Sequence, residues 1–130
     1  MANKRLDDIV VYILDDDEAV RCGFARLLRS AGMEPRAYES AERFLEDVTD
    51  CKRCCILLDI TMPRMTGMQV QERLNAKGIT LPVITISARD DENTRATARG
   101  LGARMFLRKP VDDQALLDAI SWVTNSNTGK

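Results

Sequence analysis

Residues 55–59 of the chain read Cys-Ile-Leu-Leu-Asp, an unbroken apolar run that ends in an acidic residue. Consecutive apolar residues, without the alternation of a half-buried strand, are typical of a parallel strand that is buried on both faces. Strands of this kind lie inside α/β sheets, where helices cover each face. We therefore predict that residues 55–58 form a buried strand and that Asp59 directly follows its carboxyl end.

Longer helical patterns separate this run from four others that are short and apolar or β-branched. The predicted strands cover residues 10–14, 33–38, 55–58, 83–86 and 105–107. Pro35 favours an edge position for the second strand, because proline cannot donate a backbone hydrogen bond. Helix starts are predicted at Ser40, at the capping box of Thr66 and Gln69, and at Asp112. Five strands alternating with five helices indicate a parallel sheet with helices on both faces, an α/β fold.

The composition and charge exclude some classes of protein. The chain has 130 residues, is 45% hydrophobic and carries a formal net charge of -1, so there is no overall electrostatic case for binding nucleic acid or a membrane. No stretch is long and apolar enough to span a bilayer, and residues 1–8 lack the apolar core of a signal peptide. We expect a cytoplasmic protein with a polar N-terminal segment at 1–8, one domain at 9–123 and a polar, frayed tail at 124–130.

The four cysteines are Cys22, Cys51, Cys54 and Cys55, and Cys51 and Cys54 have the C-x-x-C spacing of zinc and redox sites. Zinc normally takes four Cys, His or carboxylate ligands, and the chain contains no histidine. Reduced thiols are the usual state of cysteine in the cytosol. The interpretation that we favour is therefore reduced thiols, with Cys55 starting a buried strand.

Polar residues follow four of the predicted strands. Asp15 and Asp16 follow the first strand, Asp59 the third and Ser87 the fourth, and Lys109 lies two residues past the fifth. The carboxyl ends of parallel strands share one edge of the sheet, and the ligands of open α/β sheets bind outside that edge. Because neighbouring strands lie roughly 4.8 Å apart, these side chains are predicted to converge.

Three converging carboxylates repel one another, and a cation relieves that repulsion. Oxygen ligands with several waters suit Mg²⁺, and Lys109 adds a fixed positive charge. Carboxylates, a divalent cation and a lysine around one aspartate are typical of phosphoryl transfer, with Asp59 as a nucleophile that forms an aspartyl phosphate. Taken singly, each residue also has an ordinary structural explanation, such as a helix N-terminal charge, a turn or a cap. Their shared placement after successive strands favours the site.

Four motifs resemble those of bacterial receiver domains, the phosphorylated modules of two-component response regulators. Residues 11–18 resemble the acidic-pair motif, and residues 58–67 resemble the phosphoacceptor loop D-x-x-M-P-x-M-x-G. Residues 86–88 are similar to the switch Ser/Thr-Ala pair, and residues 106–110 to the aromatic-x-x-Lys-Pro ending. The resemblance covers residues 9–123. It implies the flavodoxin-like fold, a doubly wound (βα)5 parallel sheet with strand order 2-1-3-4-5.

The resemblance implies a role for each matched residue of the site. Asp59 would be the phosphoacceptor and a ligand of Mg²⁺, for which Mn²⁺ can substitute. Asp16 would bind the ion directly, Asp15 through a water, and Thr61 through its backbone carbonyl. Lys109 would pair with Asp59 and then with the phosphoryl group.

The resemblance also implies how the domain switches and what it meets. Ser87 would donate a hydrogen bond to a phosphoryl oxygen, and Phe106 would be the rotating aromatic, without the hydroxyl of the family's common tyrosine. The Lys109–Pro110 peptide would be cis. A sensor histidine kinase or a phosphotransfer protein would supply the phosphoryl group. The face made by the fourth helix, fifth strand and fifth helix would act on an output protein, a fused output domain or a second copy of the chain, without touching nucleic acid or a membrane.

The domain would thus be a switch rather than an enzyme, although it would assist its own phosphorylation and autodephosphorylation. Three other functions fit parts of the sequence. A Mg²⁺-dependent phosphatase with an Asp nucleophile commonly has a second Asp two residues later, where this chain has Thr61. An unphosphorylated pseudo-receiver would usually lack an acidic ligand, the aspartate or the lysine, and none is missing here. The chain could also be the receiver part of a longer DNA-binding regulator, but no helix-turn-helix follows Val123 in this sequence.

Overall fold

The computed structural model describes residues 9–60, 65–88 and 91–128, and in these ranges strands and helices alternate as the sequence predicts. Among the described residues, no helix has both the length and the apolar character needed to cross a membrane. The elements are β1 Val10–Leu14, α1 Glu18–Ser30, β2 Glu34–Tyr38, α2 Ala41–Asp47, β3 Cys54–Asp59, α3 Gly67–Ala76, β4 Val83–Ser87, α4 Glu92–Gly100, β5 Ala103–Arg108 and α5 Asp113–Thr128.

The five strands form one parallel sheet in the order β2-β1-β3-β4-β5. This order confirms the flavodoxin-like fold. It places β2, with Pro35, at an edge as predicted, and it places β3 in the centre, where all six of its residues are buried. The register pairs Leu14 with Leu58 and Asp59 with Ile86. The ends of β1, β3 and β4 therefore lie side by side at the carboxyl edge.

Two apolar layers hold the sheet, because successive strand residues point to opposite faces. On one face, Ile13 and Leu57 belong to the cluster that α1 and α5 cover, with Leu28 and Ile120 as fully buried members. On the other face, the α2 and α3 side chains pack over β1, β3 and β4, and Phe44 is among those fully buried there. Burying each side chain of this size stabilises the fold by about 1.5–3 kcal/mol, so both faces of the sheet contribute.

The predicted helix starts are confirmed by their hydrogen bonds. The Ser40 hydroxyl accepts from the Arg43 amide, and Thr66 and Gln69 form the predicted capping box. The Asp112 carboxylate accepts from the amide of Ala115 at 2.9 Å. These caps satisfy amides that would otherwise have no partner in the first helical turn.

The strand and helix ends differ slightly from the prediction. Asp59 and Ser87 are the last residues of β3 and β4 rather than the residues that follow them. The frayed tail predicted from residue 124 is wrong for its first five residues, because α5 continues to Thr128. Thr124 is buried and its hydroxyl donates to the Ile120 carbonyl at 2.8 Å, which satisfies a polar side chain inside the helix. The predicted segment 1–8 lies outside the described residues.

The prediction of four reduced thiols is wrong for one pair. Cys51 and Cys54 are joined by a disulfide, while Cys22 and Cys55 are free. The turn between α2 and β3 brings the two Cα atoms to 5.7 Å, a separation that a disulfide spans without strain of the backbone. Cys55 is buried within β3, as predicted, and not at its start, which is Cys54.

Candidate functional site

The predicted carboxylates meet at the carboxyl edge of the sheet. Asp15 and Asp16 follow β1, and Asp59 ends the neighbouring strand β3. One carboxylate oxygen of each lies within 4.8 Å of the others. Asp15 and Asp59 are 2% and 3% exposed, whereas Asp16 is exposed. Two buried charges and one accessible charge therefore share one small acidic cluster.

Lys109 closes this cluster from the side of β5. Its Nζ donates to Oδ2 of Asp15 at 3.1 Å and lies 3.7 Å from Oδ2 of Asp59. Its backbone amide donates to the carbonyl of Ser87, which fixes the chain at this point. The predicted cis peptide between Lys109 and Pro110 is confirmed.

The charge of Lys109 is stabilised by its surroundings. Burial by itself lowers the pKa of the ammonium, but the charge of Asp59 and the hydrogen bond to Asp15 raise it, and the net result is a pKa above the ordinary value for lysine. The group is therefore cationic at neutral pH, opposite two buried carboxylates.

The loop after β1 orients the acidic pair. The Asp17 amide donates to Oδ1 of Asp15 at 2.9 Å, and the Asp17 side chain caps α1 by accepting from the amides of Ala19 and Val20. Asp15 therefore uses one oxygen for the loop and the other for Lys109. The capping bonds of Asp17 fix the backbone that connects Asp15 to α1.

Arg21 also supports this loop, and sequence reasoning missed it. Its Nη1 donates to the Asp15 carbonyl at 2.8 Å, and its Nη2 lies 3.5 Å from the Glu39 carboxylate. No motif distinguishes this arginine from the other arginines of α1 in the sequence. Its role is recognisable only in the folded structure, where α1 brings the Arg21 guanidinium to the backbone carbonyl of Asp15.

Gly67 lets the chain return closely to Asp59. Its amide donates to the carbonyl of Ile60 at 2.9 Å. A Cβ at this position would lie 2.7 Å from the Asp59 carbonyl oxygen and 2.7 Å from the Ile60 Cα. Only glycine fits this approach of backbone to backbone. Thr61, whose carbonyl was predicted to bind the metal, lies outside the described residues.

The two predicted switch residues occupy neighbouring strands. Ser87 is fully buried at the end of β4, and Phe106 is half-buried on β5, opposite Thr85. The guanidinium of Arg95, on α4, lies 5.4 Å from the centre of the Phe106 ring, within the range of a cation–π contact. A cavity of about 180 Å³, bordered by Thr85, Ala98 and Phe106, lies between α4 and β5.

An apolar groove of about 900 Å³ opens beside the acidic cluster. Its walls come from one face of α1 and from the connection between β5 and α5, including Lys109 itself. Val20, Phe24, Leu27 and Val111 supply apolar side chains. The groove therefore runs along one face of α1 to Lys109 at the edge of the acidic cluster.

This donor set fits a hard divalent cation. Three carboxylates within a few ångströms supply oxygen ligands, and an exposed Asp16 leaves room for waters, as Mg²⁺ requires. Lys109 leaves the cluster with a net negative charge, which a divalent ion would offset. The arrangement can therefore hold a metal beside a buried aspartate and a lysine.

Comparison with known proteins gives a family with this arrangement. The response regulator receiver domain family matches residues 11–121. The transcriptional regulatory protein TdiR of Thauera aromatica is 38% identical over 92% of this chain and 53% of its own length. The transcriptional regulatory protein FixJ of Azorhizobium caulinodans is 37% identical over 88% of this chain and 54% of its own. The chain thus spans about half the length of these curated relatives.

A solved structure agrees with the sequence relatives. The response regulator receiver protein from Burkholderia phymatum is 36% identical and superposes with a TM-score of 0.78, over 91% of this chain and 96% of that one. The match to the family begins at the second residue of β1, ends within α5 and includes β2 to β5 completely. The chain belongs to the response regulator receiver domain family, whose members are the phosphoaccepting switches of two-component systems.

Proposed function

We propose that Asp59 is the phosphoacceptor of this receiver domain. The observation that carries the proposal is the position of its carboxylate, buried at the end of the central strand, in the acidic cluster and 3.7 Å from the Lys109 ammonium. A phosphoryl group on Asp59 would carry oxygens toward Lys109, which is held cationic. Of the other two aspartates of the cluster, Asp16 would bind the metal directly and Asp15 would bind it through a water.

The proposed reaction is transfer from a phosphohistidine. An Asp59 carboxylate oxygen attacks phosphorus, the P–N bond breaks, and the electron pair returns to the imidazole of the donor. Lys109 moves its hydrogen bond from Asp15 to a phosphoryl oxygen and so stabilises the negative charge of the phosphoryl group during transfer. When bound by Asp15, Asp16 and Asp59, Mg²⁺ or Mn²⁺ would neutralise further charge on the phosphoryl oxygens. Hydrolysis of the acyl phosphate at the same site would return the domain to its resting state.

The switch would pass from Ser87 to the face of α4, β5 and α5. Ser87 ends β4 beside the phosphoryl site, and Phe106 on the next strand borders the cavity under α4. If Ser87 moves toward a phosphoryl oxygen, Phe106 can enter that space and release the Arg95 contact. The arrangement described here and the arrangement with Phe106 moved inward would be two states in equilibrium. Phosphorylation would shift the populations toward the second state.

The phosphodonor would be a histidine kinase or a phosphotransfer protein that docks in the apolar groove along α1. The groove is lined by Lys109 at its end, so a donor helix lying in it would reach the acidic cluster. The receiver would act in the cytoplasm, where these donors present phosphohistidine. TdiR and FixJ are named as transcriptional regulatory proteins, and the match covers only 53% and 54% of their lengths, so the output would be transcription through a fused or separate domain.

Phosphorylation by acetyl phosphate, followed by intact-mass measurement, tests the proposal. With Mg²⁺ present, the parent protein should gain one phosphoryl group, and Asp59→Asn should gain none, because the amide lacks the nucleophilic anion. Asp118→Asn removes an exposed carboxylate of α5 that bonds Gln114, and this matched control should be modified like the parent. Modification of Asp59→Asn at a yield comparable to the parent's would overturn the assignment.

A further inference from the structure

The C-x-x-C turn lies at the edge of the sheet opposite the phosphoryl site and has no part in the function proposed above. Cys54 begins β3 and Asp59 ends it, so the five steps between them place the two roughly 16 Å apart. The cysteine pair therefore needs an explanation separate from the acidic cluster.

The two sulfurs differ in access. Cys51 is exposed, whereas Cys54 is 2% exposed at the start of the central strand. A thiolate from solution can therefore reach the Cys51 sulfur, and Cys54 is the sulfur that leaves. The residues between them are Lys52 and Arg53, and nearby positive charge stabilises the thiolates that attack and leave in disulfide exchange.

The bond closes a very short ring, which limits its value as a structural cross-link. Only two residues separate the cysteines, and stabilisation by a disulfide grows with the length of chain that it closes. The domain has a complete apolar core on each face of its sheet. Disulfides in reducing compartments are mostly reversible ones, and a short, accessible C-x-x-C bond has that character.

The turn that carries the bond is connected to two other parts of the molecule. The Asp50 carboxylate, beside Cys51, accepts from the Thr80 amide at 2.9 Å in the connection before β4. The Arg53 carbonyl accepts from the Val10 amide at 2.9 Å, at the start of β1. A change in the shape of this turn would therefore affect the residues at or before the starts of β1, β3 and β4.

We propose that Cys51 and Cys54 form a reversible redox site, oxidised and reduced by exchange with a small thiol–disulfide couple of the glutathione class. In reduction, a donor thiolate attacks the Cys51 sulfur, the S–S bond breaks, and Cys54 leaves as a thiolate that takes a proton. A second donor thiol attacks the mixed disulfide, which releases the donor as its disulfide and Cys51 as a thiol. Two electrons and two protons pass to the protein, and reduction loosens the turn.

Equilibration of the parent protein in glutathione buffers of graded ratio tests the proposal. After acid quenching and alkylation, tryptic cleavage at Lys52 and Arg53 leaves the Cys51 peptide attached to the Cys54 peptide only in the oxidised form. We expect one reversible two-electron transition that is the same from both directions. Thiols that stay reduced in oxidised glutathione alone, or a bond that resists millimolar reduced glutathione, would overturn it.

The effect on the fold is measured in the same buffers. Reduction should lower the melting temperature by about 3–5 °C and accelerate hydrogen exchange of the Thr80 amide. Cys51→Ser, at an exposed position, should melt like the reduced parent in both buffers, while Cys22→Ser, at the exposed free cysteine of α1, should behave like the parent. A parent melting temperature and exchange rate that ignore the redox state would overturn the coupling. Phosphorylation of Asp59 is measured in reducing buffer, so its failure would be distinguishable from failure here.

Discussion

At the scale of single residues, the site depends on positions where no other side chain fits. Gly67 is one, because the backbone of Asp59 and Ile60 occupies the space of its Cβ. Lys109 is important for its charge, because its Nζ lies 3.1 Å from Oδ2 of Asp15 and 3.7 Å from Oδ2 of Asp59. The motifs made both residues visible in the sequence, whereas Arg21 and Arg95 act through tertiary contacts that no local pattern encodes.

Gly67→Ala should destabilise the protein. The added methyl group would lie 2.7 Å from two backbone atoms, so the loop must shift, at a cost of about 1–3 kcal/mol. Gly23→Ala is the matched control: it lies in α1 with nothing within 4 Å of the added atom, and it should stabilise the protein by about 0.5–1 kcal/mol. Urea unfolding of both variants gives the comparison. If Gly67→Ala and Gly23→Ala have the same free energy of unfolding, the space around Gly67 is larger than the structure shows.

Mg²⁺ should stabilise the folded protein, because the carboxylates of Asp15, Asp16 and Asp59 come together only on folding. At a tenfold excess over its dissociation constant, the ion adds about 1.4 kcal/mol to the free energy of unfolding. Asp16→Ala should remove most of this gain and leave the buried Asp15 in place. Thermal melts with Mg²⁺ or with a monovalent salt of matched ionic strength are the measurement. A melting temperature that ignores millimolar Mg²⁺ would contradict the site.

At the scale of elements, β3 sets the chemistry of its own side chains. All six of its residues are buried, and burial raises the pKa of the Cys55 thiol from 9.0 to about 12. The thiol is neutral at pH 7 in the folded and the unfolded chain, so it contributes no pH dependence there. Above about pH 9 the unfolded chain loses a proton that the folded protein keeps, and stability should fall as the pH rises toward 12.

Alkylation at pH 8.5 checks the state of Cys55. In native protein with the disulfide intact, iodoacetamide should modify the exposed Cys22 and spare Cys55. Denaturant should make both react. If native Cys55 reacts as fast as Cys22, then β3 opens to solvent far more often than a central strand should.

The order of elements was predictable because apolar periodicity, caps and turn residues all agreed along the chain. The alternation of strands and helices, the edge position of β2 and the caps of α2, α3 and α5 are confirmed. The end of α5 was not predictable, because its polar last turn resembles a loop until Thr124 bonds the Ile120 carbonyl. The disulfide was not predictable either, since the C-x-x-C spacing suits thiols, zinc or a bond.

At the scale of the whole molecule, the face of α4, β5 and α5 combines opposite charges. Arg99, Arg104 and Arg108 are exposed on α4 and β5, and Asp113 and Asp118 are exposed on α5. Basic and acidic groups side by side can pair reciprocally across a two-fold axis. Arg95 is half-buried with its guanidinium over the Phe106 ring, so a movement of that ring would change the exposure of its charge.

Phosphorylation should therefore promote pairing of two copies through this face. Sedimentation with and without beryllofluoride, a phosphoryl mimic, should show a monomer that becomes a dimer at tens of micromolar. Arg99→Glu should weaken the dimer by about tenfold or less, since exposed ion pairs contribute roughly 0.2–1 kcal/mol each. Arg29→Glu, an exposed arginine of α1, is the control and should leave it unchanged. A monomer in both states would direct the search to a different protein that binds this face.

The parallel sheet gives the molecule a front and a back. Asp15, Asp59, Ser87 and Lys109 all lie at its carboxyl edge, while the connection around Gly78, an exposed residue, lies at the other. A chain anchored to a solid support through that connection would present every reactive side chain outward. Immobilised in this one orientation, the domain would capture its phosphodonor from solution. A domain anchored through α1 would not, because the support would cover the groove beside Lys109.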